Sequence, residues 1–372
     1  MIRYFEVSLK ITFVNPPIAD QITGGPALHF SELNRHLVAR GFRTAVMRKN
    51  RPSSAFLWFP DTPTGAIRAS LWSDVIYFRF RPTSNEPGSF SRSISWLQKI
   101  RKLPLVWEIN APIYEGVILN KFDPVECGKR TSIATKFADS VDLAYCVSRE
   151  IQGYAQKTLG IEKAIYVPNG SDCERFTPEI SKTCQLLRKD GETIVFWMGS
   201  GVLPWEGSRL IVELARRIYA TTPNIRFVLA GGGKDLLPEL PPNLTHLGKV
   251  SHEILPQHLA AADICLCLYD LEAYGEFKFY NSPLKLYEYM ASGKAIIGSD
   301  AGEISRTLTH MQNGFLVGTD LAEAHKAICV LANDRKLRCE LGRNARLAAE
   351  QYYNWDRVAR QTAESLEETY AR

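Results

Sequence analysis

The chain has 372 residues, 45% of them hydrophobic and 23% charged. That balance excludes a disordered chain, and the length suits two domains of about 150–200 residues better than one core. The net charge of +5, from 45 basic and 40 acidic residues, is small and dispersed. With no aromatic-interleaved basic stripe, it points away from nucleic acid.

Eight cysteines include no C-x-x-C pair, and Cys265-Leu266-Cys267 alternates along a buried strand, so core thiols are expected. Seven histidines are scattered without ligand spacing, and no metal site is expected. Met1-Ile2-Arg3-Tyr4-Phe5-Glu6 lacks the apolar run of a secretory signal, and no segment has the length and apolarity of a membrane span. The expectation is cytoplasmic residence, with any membrane association peripheral.

In chain order, residues 10–14 read as a strand that ends at Asn15-Pro16-Pro17. After the loop to Gly24-Gly25, helical spacing runs through Phe30, Leu33, Leu37 and Val38 and closes at Gly41. Strand, Gly-rich loop and helix begin a doubly wound domain, in which ligands sit beyond the carboxyl ends of the strands. Further strands are expected at 75–78, 105–107, 143–147 and 165–167, followed by a polar linker at 171–192 broken by Pro178. The alternation then repeats, with strands at 193–198, 225–229, 244–247, 264–268, 294–297 and 315–317. Helices fall at 208–219, 254–262, 284–292 and 321–332, and one more follows Trp355. This pattern predicts an α/β protein of two Rossmann-like, doubly wound parallel-sheet domains facing across a cleft. The domains are placed at 1–180 and 190–352, with a terminal helix at 353–372.

The most informative stretch is Asn281-Ser282-Pro283-Leu284-Lys285-Leu286-Tyr287-Glu288-Tyr289-Met290-Ala291-Ser292-Gly293-Lys294. It puts Lys285 and Glu288 on one face of a helix that begins at a proline. A helix start displays unpaired N–H groups, and a cation beside it adds charge-assisted donors. Lys285 then meets a phosphate while Glu288 accepts from a sugar or ribose hydroxyl. The alternative is a solvated ion pair.

Taken with Gly24-Gly25, Val167-Pro168-Asn169-Gly170-Ser171-Asp172, Arg175-Phe176, Ala230-Gly231-Gly232-Gly233, Ala262-Asp263, Asn313-Gly314-Phe315-Leu316-Val317 and the terminal Trp355 helix, this stretch resembles one known family. The family is the retaining, two-domain glycosyltransferases of the GT-B fold, family 4 (group 1), and the resemblance covers nearly the whole chain. It implies transfer of a sugar from a nucleotide-diphosphate-sugar donor to a hydroxyl acceptor, which is a small molecule, a glycan or a lipid-linked group. It implies no metal and no cofactor beyond the donor itself. The donor diphosphate falls at Gly24 and Gly25, and the ribose hydroxyls at Glu288. Gly199, Ser200, Tyr280, Ser282, Leu284 and Lys285 complete the donor contacts, and the terminal helix crosses back to the first domain.

The chain departs from the family at the cations. Ser200 stands where an arginine is usual, and Glu206-Gly207 replaces a Lys-Gly pair. Uncompensated phosphate charge in a cleft is costly, so another cation is expected to substitute: Lys285 first, Arg306 second. Tyr280 replaces the first of two glutamates separated by seven residues, and is expected beside the transferred sugar. Only one glycine remains in Asp300-Ala301-Gly302-Glu303. These departures keep open a catalytically weak or inactive sugar-nucleotide-binding relative.

The acceptor side is read from Trp107-Glu108-Ile109-Asn110-Ala111-Pro112. Asn110, with Gly25, Lys285 and Glu288, makes up the candidate catalytic set. Glu108 either faces the cleft or pairs with an arginine such as Arg101. Arg79 and Arg81 either meet an anionic acceptor or form a solvated edge. Gly231-Gly232-Gly233 lacks the spacing of a dinucleotide fingerprint, and Ser148 has no histidine beside it for hydrolase chemistry.

Overall fold

The computed structural model describes residues 9–18, 24–53, 56–79, 98, 100–180, 191–232 and 239–370. Met1–Glu6, Arg81, Gly233 and residues 181–190 of the expected linker, Cys184 among them, lie outside the described residues. The chain divides into two compact units, Met1–Pro168 with Trp355–Arg372, and Asn169–Asn354.

The first unit is built on strands β1 (Lys10–Val14), β2 (Arg43–Arg48), β3 (Leu57–Pro60), β4 (Val75–Arg79), β5 (Leu105–Ile109), β6 (Leu143–Cys146) and β7 (Ala164–Tyr166). Their order in the sheet is β3-β2-β1-β4-β5-β6-β7, and the pairings are parallel. The order reverses between β1 and β4, which is where a doubly wound sheet opens a crevice at its carboxyl edge. Its helices are α1 (Gly25–Ala39), α2 (Pro63–Trp72), α3 (Glu115–Ile118), α4 (Pro124–Ala138) and α5 (Arg149–Lys157). Sequence signals fix several starts. Asp123 accepts from the Glu126 amide at 2.8 Å, and Ser148 accepts from that of Ile151 at 3.2 Å. Ser148 is thus a buried helix cap.

The second unit carries β8 (Thr193–Met198), α6 (Ser208–Thr221), β9 (Ile225–Ala230), β10 (Leu244–His246), α7 (Leu255–Ala261), β11 (Ile264–Cys267), α8 (Leu284–Ala291), β12 (Ala295–Ser299), α9 (Gly302–Thr307), β13 (Phe315–Val317), α10 (Leu321–Asn333) and α11 (Arg335–Tyr352). The sheet order is β10-β9-β8-β11-β12-β13, again with parallel pairings. Here the order reverses between β8 and β11. The near-continuous apolar runs of β8, β11 and β12 follow from burial on both faces. Cys265 and Cys267 lie in this core, and burial pushes the Cys267 thiol up to about 12. They are core thiols, as expected.

Helix α12 (Trp355–Tyr370) belongs to the first unit. It buries Trp355, Val358, Ala359, Ala363 and Leu366. The Tyr145 hydroxyl donates to the Thr362 carbonyl at 2.9 Å, and Arg40 pairs with Asp356 at 2.6 Å.

The boundary falls earlier than the sequence places it. Asn169 donates through Nδ2 to the Ser282 carbonyl at 2.8 Å, and the Ser171 amide donates to the Tyr353 carbonyl at 3.0 Å. Arg346 donates to the carbonyls of Cys173, Phe176 and Ala291. Residues 169–180 are therefore stitched to the second unit. Polar composition read them as linker because their hydrogen bonds run to distant carbonyls, which sequence spacing does not display.

Candidate functional site

In the second unit, three loops at the carboxyl edge of the sheet surround the start of α8. The first follows β8. The Gly199 amide donates to the Ala230 carbonyl at 3.1 Å, keeping this turn close to the one after β9. A Cβ on Gly231, whose φ is +100°, would lie 1.9 Å from the Gly199 carbonyl oxygen. The glycines after β9 are thus required by backbone-to-backbone approach, and no dinucleotide fingerprint is needed to explain them.

Ser200 and Glu206, the two departures at the family's cation positions, bond each other. Glu206 accepts from the Ser200 amide at 3.0 Å and from its hydroxyl at 2.6 Å. The turn is closed by a carboxylate rather than opened by a cation.

Lys285 is 8% exposed and Glu288 4%, so they are not a solvated ion pair. The Lys285 ammonium lies 4.7 Å from the Trp197 ring centroid and 4.9 Å from that of Tyr269. It has no hydrogen-bond partner among the described residues. A Cβ on Gly199 would come within 3.3 Å of Nζ, so the ammonium sits against the β8 turn. Burial lowers its pKa from the ordinary lysine value, and the Glu206 carboxylate partly offsets that. A buried, hydrogen-bond-deficient cation is an anion site in waiting.

Glu288 accepts from His252 Nε2 at 2.6 Å. His252 lies in the loop after β10, its ring centroid 5.3 Å from that of Phe176, and its carbonyl accepts from Arg175 at 2.8 Å. Sequence reasoning missed His252. The available signal was its place just beyond a parallel strand's carboxyl end.

The remaining candidates divide. Ser282 is pinned by Asn169 and by the Tyr287 hydroxyl at 2.9 Å, which makes it a brace for the loop before α8. Leu284 is the first residue of α8, half-buried. Arg306 stands on α9, 3.7 Å from the fully buried Glu303 carboxylate, with 40% of its side chain exposed. Tyr280 requires a correction. It is 1% exposed, its ring centroid 5.6 Å from Tyr274 and 6.5 Å from Trp205. Losing the glutamate's charge let this position join an aromatic cluster instead of standing open to a sugar.

The first unit has its own polar centre at the carboxyl edge of β5. Glu108 accepts from the Tyr77 hydroxyl at 2.8 Å and from the Asn110 amide. It also lies 3.2 Å from His29 and 3.4 Å from Arg79. Burial alone would push its carboxyl up, but His29 and Arg79 more than offset this and hold it well below the usual carboxylate range. Arg101 instead donates to the Ser73 carbonyl at 3.3 Å, so the arginine that pairs with Glu108 is Arg79 and not Arg101. Arg79 also donates to the Pro26 carbonyl at 3.3 Å, fixing it beside the Gly24-Gly25 start of α1. Gly24 is extended and exposed there, and Gly25 half-buried. His29 was passed over in the sequence, although it stands one turn after Gly25.

Among the described residues no group of three or more His, Cys, Asp or Glu is placed to hold a metal, and no helix is long and apolar enough to cross a membrane.

Residues 192–334 match the family model described as "Glycosyl transferases group 1". The chain is similar to the phosphatidyl-myo-inositol mannosyltransferase of Mycobacterium tuberculosis (strain H37Rv), at 23% identity over 93% of each chain. A teichuronic acid biosynthesis glycosyltransferase of Bacillus subtilis is 27% identical over 40% of this chain and 37% of that one. Among solved structures, sucrose-phosphate synthase from Thermosynechococcus elongatus superposes with a TM-score of 0.72 at 18% identity, covering 98% of this chain and 99% of that one. Anabaena HepE in complex with UDP and glucose superposes at 0.71 and 18%, covering 96% and 99%.

Proposed function

We propose that the chain belongs to the group 1 glycosyl transferases, family 4, a reading supported by the family match over residues 192–334 and the mannosyltransferase relatives, and that its own residues serve sugar transfer as follows. The enzyme transfers a sugar from a nucleotide-diphosphate-sugar donor to a hydroxyl acceptor, retaining anomeric configuration. A relative named as a mannosyltransferase and structures holding UDP or UDP-glucose support the donor class. The observation that carries the assignment of residues is the Lys285 ammonium, buried against the Gly199 turn without a hydrogen-bond partner.

The donor diphosphate meets Lys285, which replaces the cations lost at Ser200 and Glu206, with the Leu284 amide at the start of α8 as a further donor. Glu288 accepts from the ribose. In the first unit, the Glu108-centred cluster with Asn110 makes the acceptor-side surface, next to the Gly24-Gly25 turn expected to serve the donor. As the glycosidic bond breaks, charge develops on the leaving diphosphate, and a cation already in place stabilises it without reorganisation. Acceptor attack on the face that the diphosphate leaves lets a phosphate oxygen take the acceptor proton, so no protein base is required. The acceptor is a small molecule, a glycan or a lipid-linked hydroxyl at a membrane surface.

Thermal shift against a panel of nucleosides and nucleoside diphosphates tests it, because a ligand that binds only the native state raises Tm. At least one diphosphate should stabilise the protein, and by more than its nucleoside does. Proton NMR of the product formed from the matching sugar nucleotide should show the donor's anomeric configuration. A flat panel, or an inverted product, refutes the reading.

A further inference from the structure

His252 is neither on α8 nor in the family's pair of glutamates, yet it holds one oxygen of the carboxylate assigned to the ribose. Its Nε2 is 2.6 Å from Glu288 Oε1, with the imidazole side chain 14% exposed and the carboxylate 5%. The ring is braced by Phe176 and the backbone by Arg175. Its other nitrogen, Nδ1, is buried without a hydrogen-bond partner among the described residues. A carboxylate has two oxygens and about four lone-pair sites. A histidine fixed on Oε1 therefore leaves Oε2 to a ligand hydroxyl and stops the carboxylate from rotating.

We propose that His252 is the positioning residue that locks Glu288 in the orientation that reads the donor's ribose hydroxyls. This rests on the assignment of Glu288 to the ribose, and the test separates the two.

The measurement is calorimetric affinity for a nucleoside diphosphate that stabilises the protein and for its 2′-deoxy and 3′-deoxy analogues. It is made on the wild type, His252→Phe, His252→Gln, Glu288→Ala and the His252→Phe/Glu288→Ala double variant. Phenylalanine keeps the ring against Phe176 but loses the nitrogens, whereas glutamine returns an N–H near the Nε2 position. The wild type should prefer the ribonucleotide over one deoxy analogue by about 10-fold or more, as expected for a hydrogen bond to a charged group. His252→Phe should cut that preference to within about 3-fold, with His252→Gln recovering part of it, and it should have no further effect in the Glu288→Ala background. A general packing loss would weaken all three ligands alike and leave the preference intact. If Glu288→Ala abolishes the preference but His252→Phe does not, the positioning role is wrong and the Glu288 assignment stands. If Glu288→Ala itself leaves the preference unchanged, both fall.

Discussion

Burial of the Lys285 ammonium disfavours its charged form, while a diphosphate would restore that form by adding opposite charge. Proton affinity and nucleotide affinity are thereby linked at one atom. Because the pKa is lowered in the unliganded protein, affinity for a nucleoside diphosphate should fall as pH rises toward the ordinary lysine range near 10. Affinity for the bare nucleoside should stay flat, and Lys285→Met should remove the slope for the diphosphate. Titration calorimetry in two buffers of different ionisation enthalpy would register the proton taken up. Equal pH slopes for both ligands would exclude Lys285 as the phosphate's partner. Glu108 behaves in the opposite sense. Its carboxyl stays ionised in the folded protein to lower pH than in the unfolded chain, so the unfolded state binds more protons on the acid side. The stability this contributes is complete above roughly pH 4 and is lost as pH falls below it. Glu108→Gln should lower Tm at neutral pH and flatten its acid limb, so that the two proteins converge toward about pH 2. Parallel curves would show that the carboxylate's charge is not what holds the cluster.

At the scale of elements, α8 owes its placement to glycine contacts at its carboxyl end. Gly293 ends the helix with a φ of +64°, and a Cβ on Gly342 of α11 would lie 2.2 Å from the Gly293 carbonyl oxygen. Gly342→Ala must push α11 away from the turn that follows α8, which overpacking data put at roughly 1–3 kcal/mol. The expected drop in Tm of several degrees should come with weaker nucleotide binding, since α8 carries both Lys285 and Glu288. Loss of Tm with full affinity would mean α8 is held from its amino end alone. That end was legible in the sequence: Pro283 followed by an apolar-spaced run with Lys285 and Glu288 one turn apart located the helix within one residue. The buried runs of β8, β11 and β12 were equally plain. Strands β2 and β3 were not, because Arg43-Thr44-Ala45-Val46-Met47-Arg48 is flanked by charge and Leu57-Trp58-Phe59-Pro60 is only four residues long. The roles of His252 and His29 were hidden for another reason. Each is defined by a carboxylate far away in sequence, and single-chain spacing carries no record of such pairs. Tyr280 misled through family position: what it contacts depends on Trp205 and Tyr274, which arrive from separate loops.

For the whole molecule, α12 is the element on which the first unit closes. Trp355 lies with its ring centroid 5.3 Å from that of His29 on α1, and Tyr145 of β6 bonds Thr362 and Ser365. Deleting residues 355–372 uncovers α1 and leaves the Tyr145 hydroxyl without both partners. At about 1–3 kcal/mol for a polar group left unsatisfied, plus the exposed apolar face, the first unit should lose cooperative unfolding. The second unit, Asn169–Asn354, should keep its own transition and its nucleotide-induced shift. Calorimetry of the truncated protein would show one surviving transition; two intact transitions would mean α12 is dispensable.

The isolated β-bridge between Ser171 and Asn354 joins the two ends of the second unit, which makes that unit one unbroken stretch of chain inserted into the other. The order of synthesis is then not the order of completion. A ribosome makes residues 1–168 first, but they lack α12 until Trp355–Tyr370 has been made. The donor-binding unit, begun later, has all of its residues earlier. The nascent first unit waits with α1 uncovered while 186 residues, 169 to 354, emerge and fold. Translation pauses after residue 354 would lengthen that exposure, and synonymous codon changes there should alter soluble yield without altering the finished enzyme.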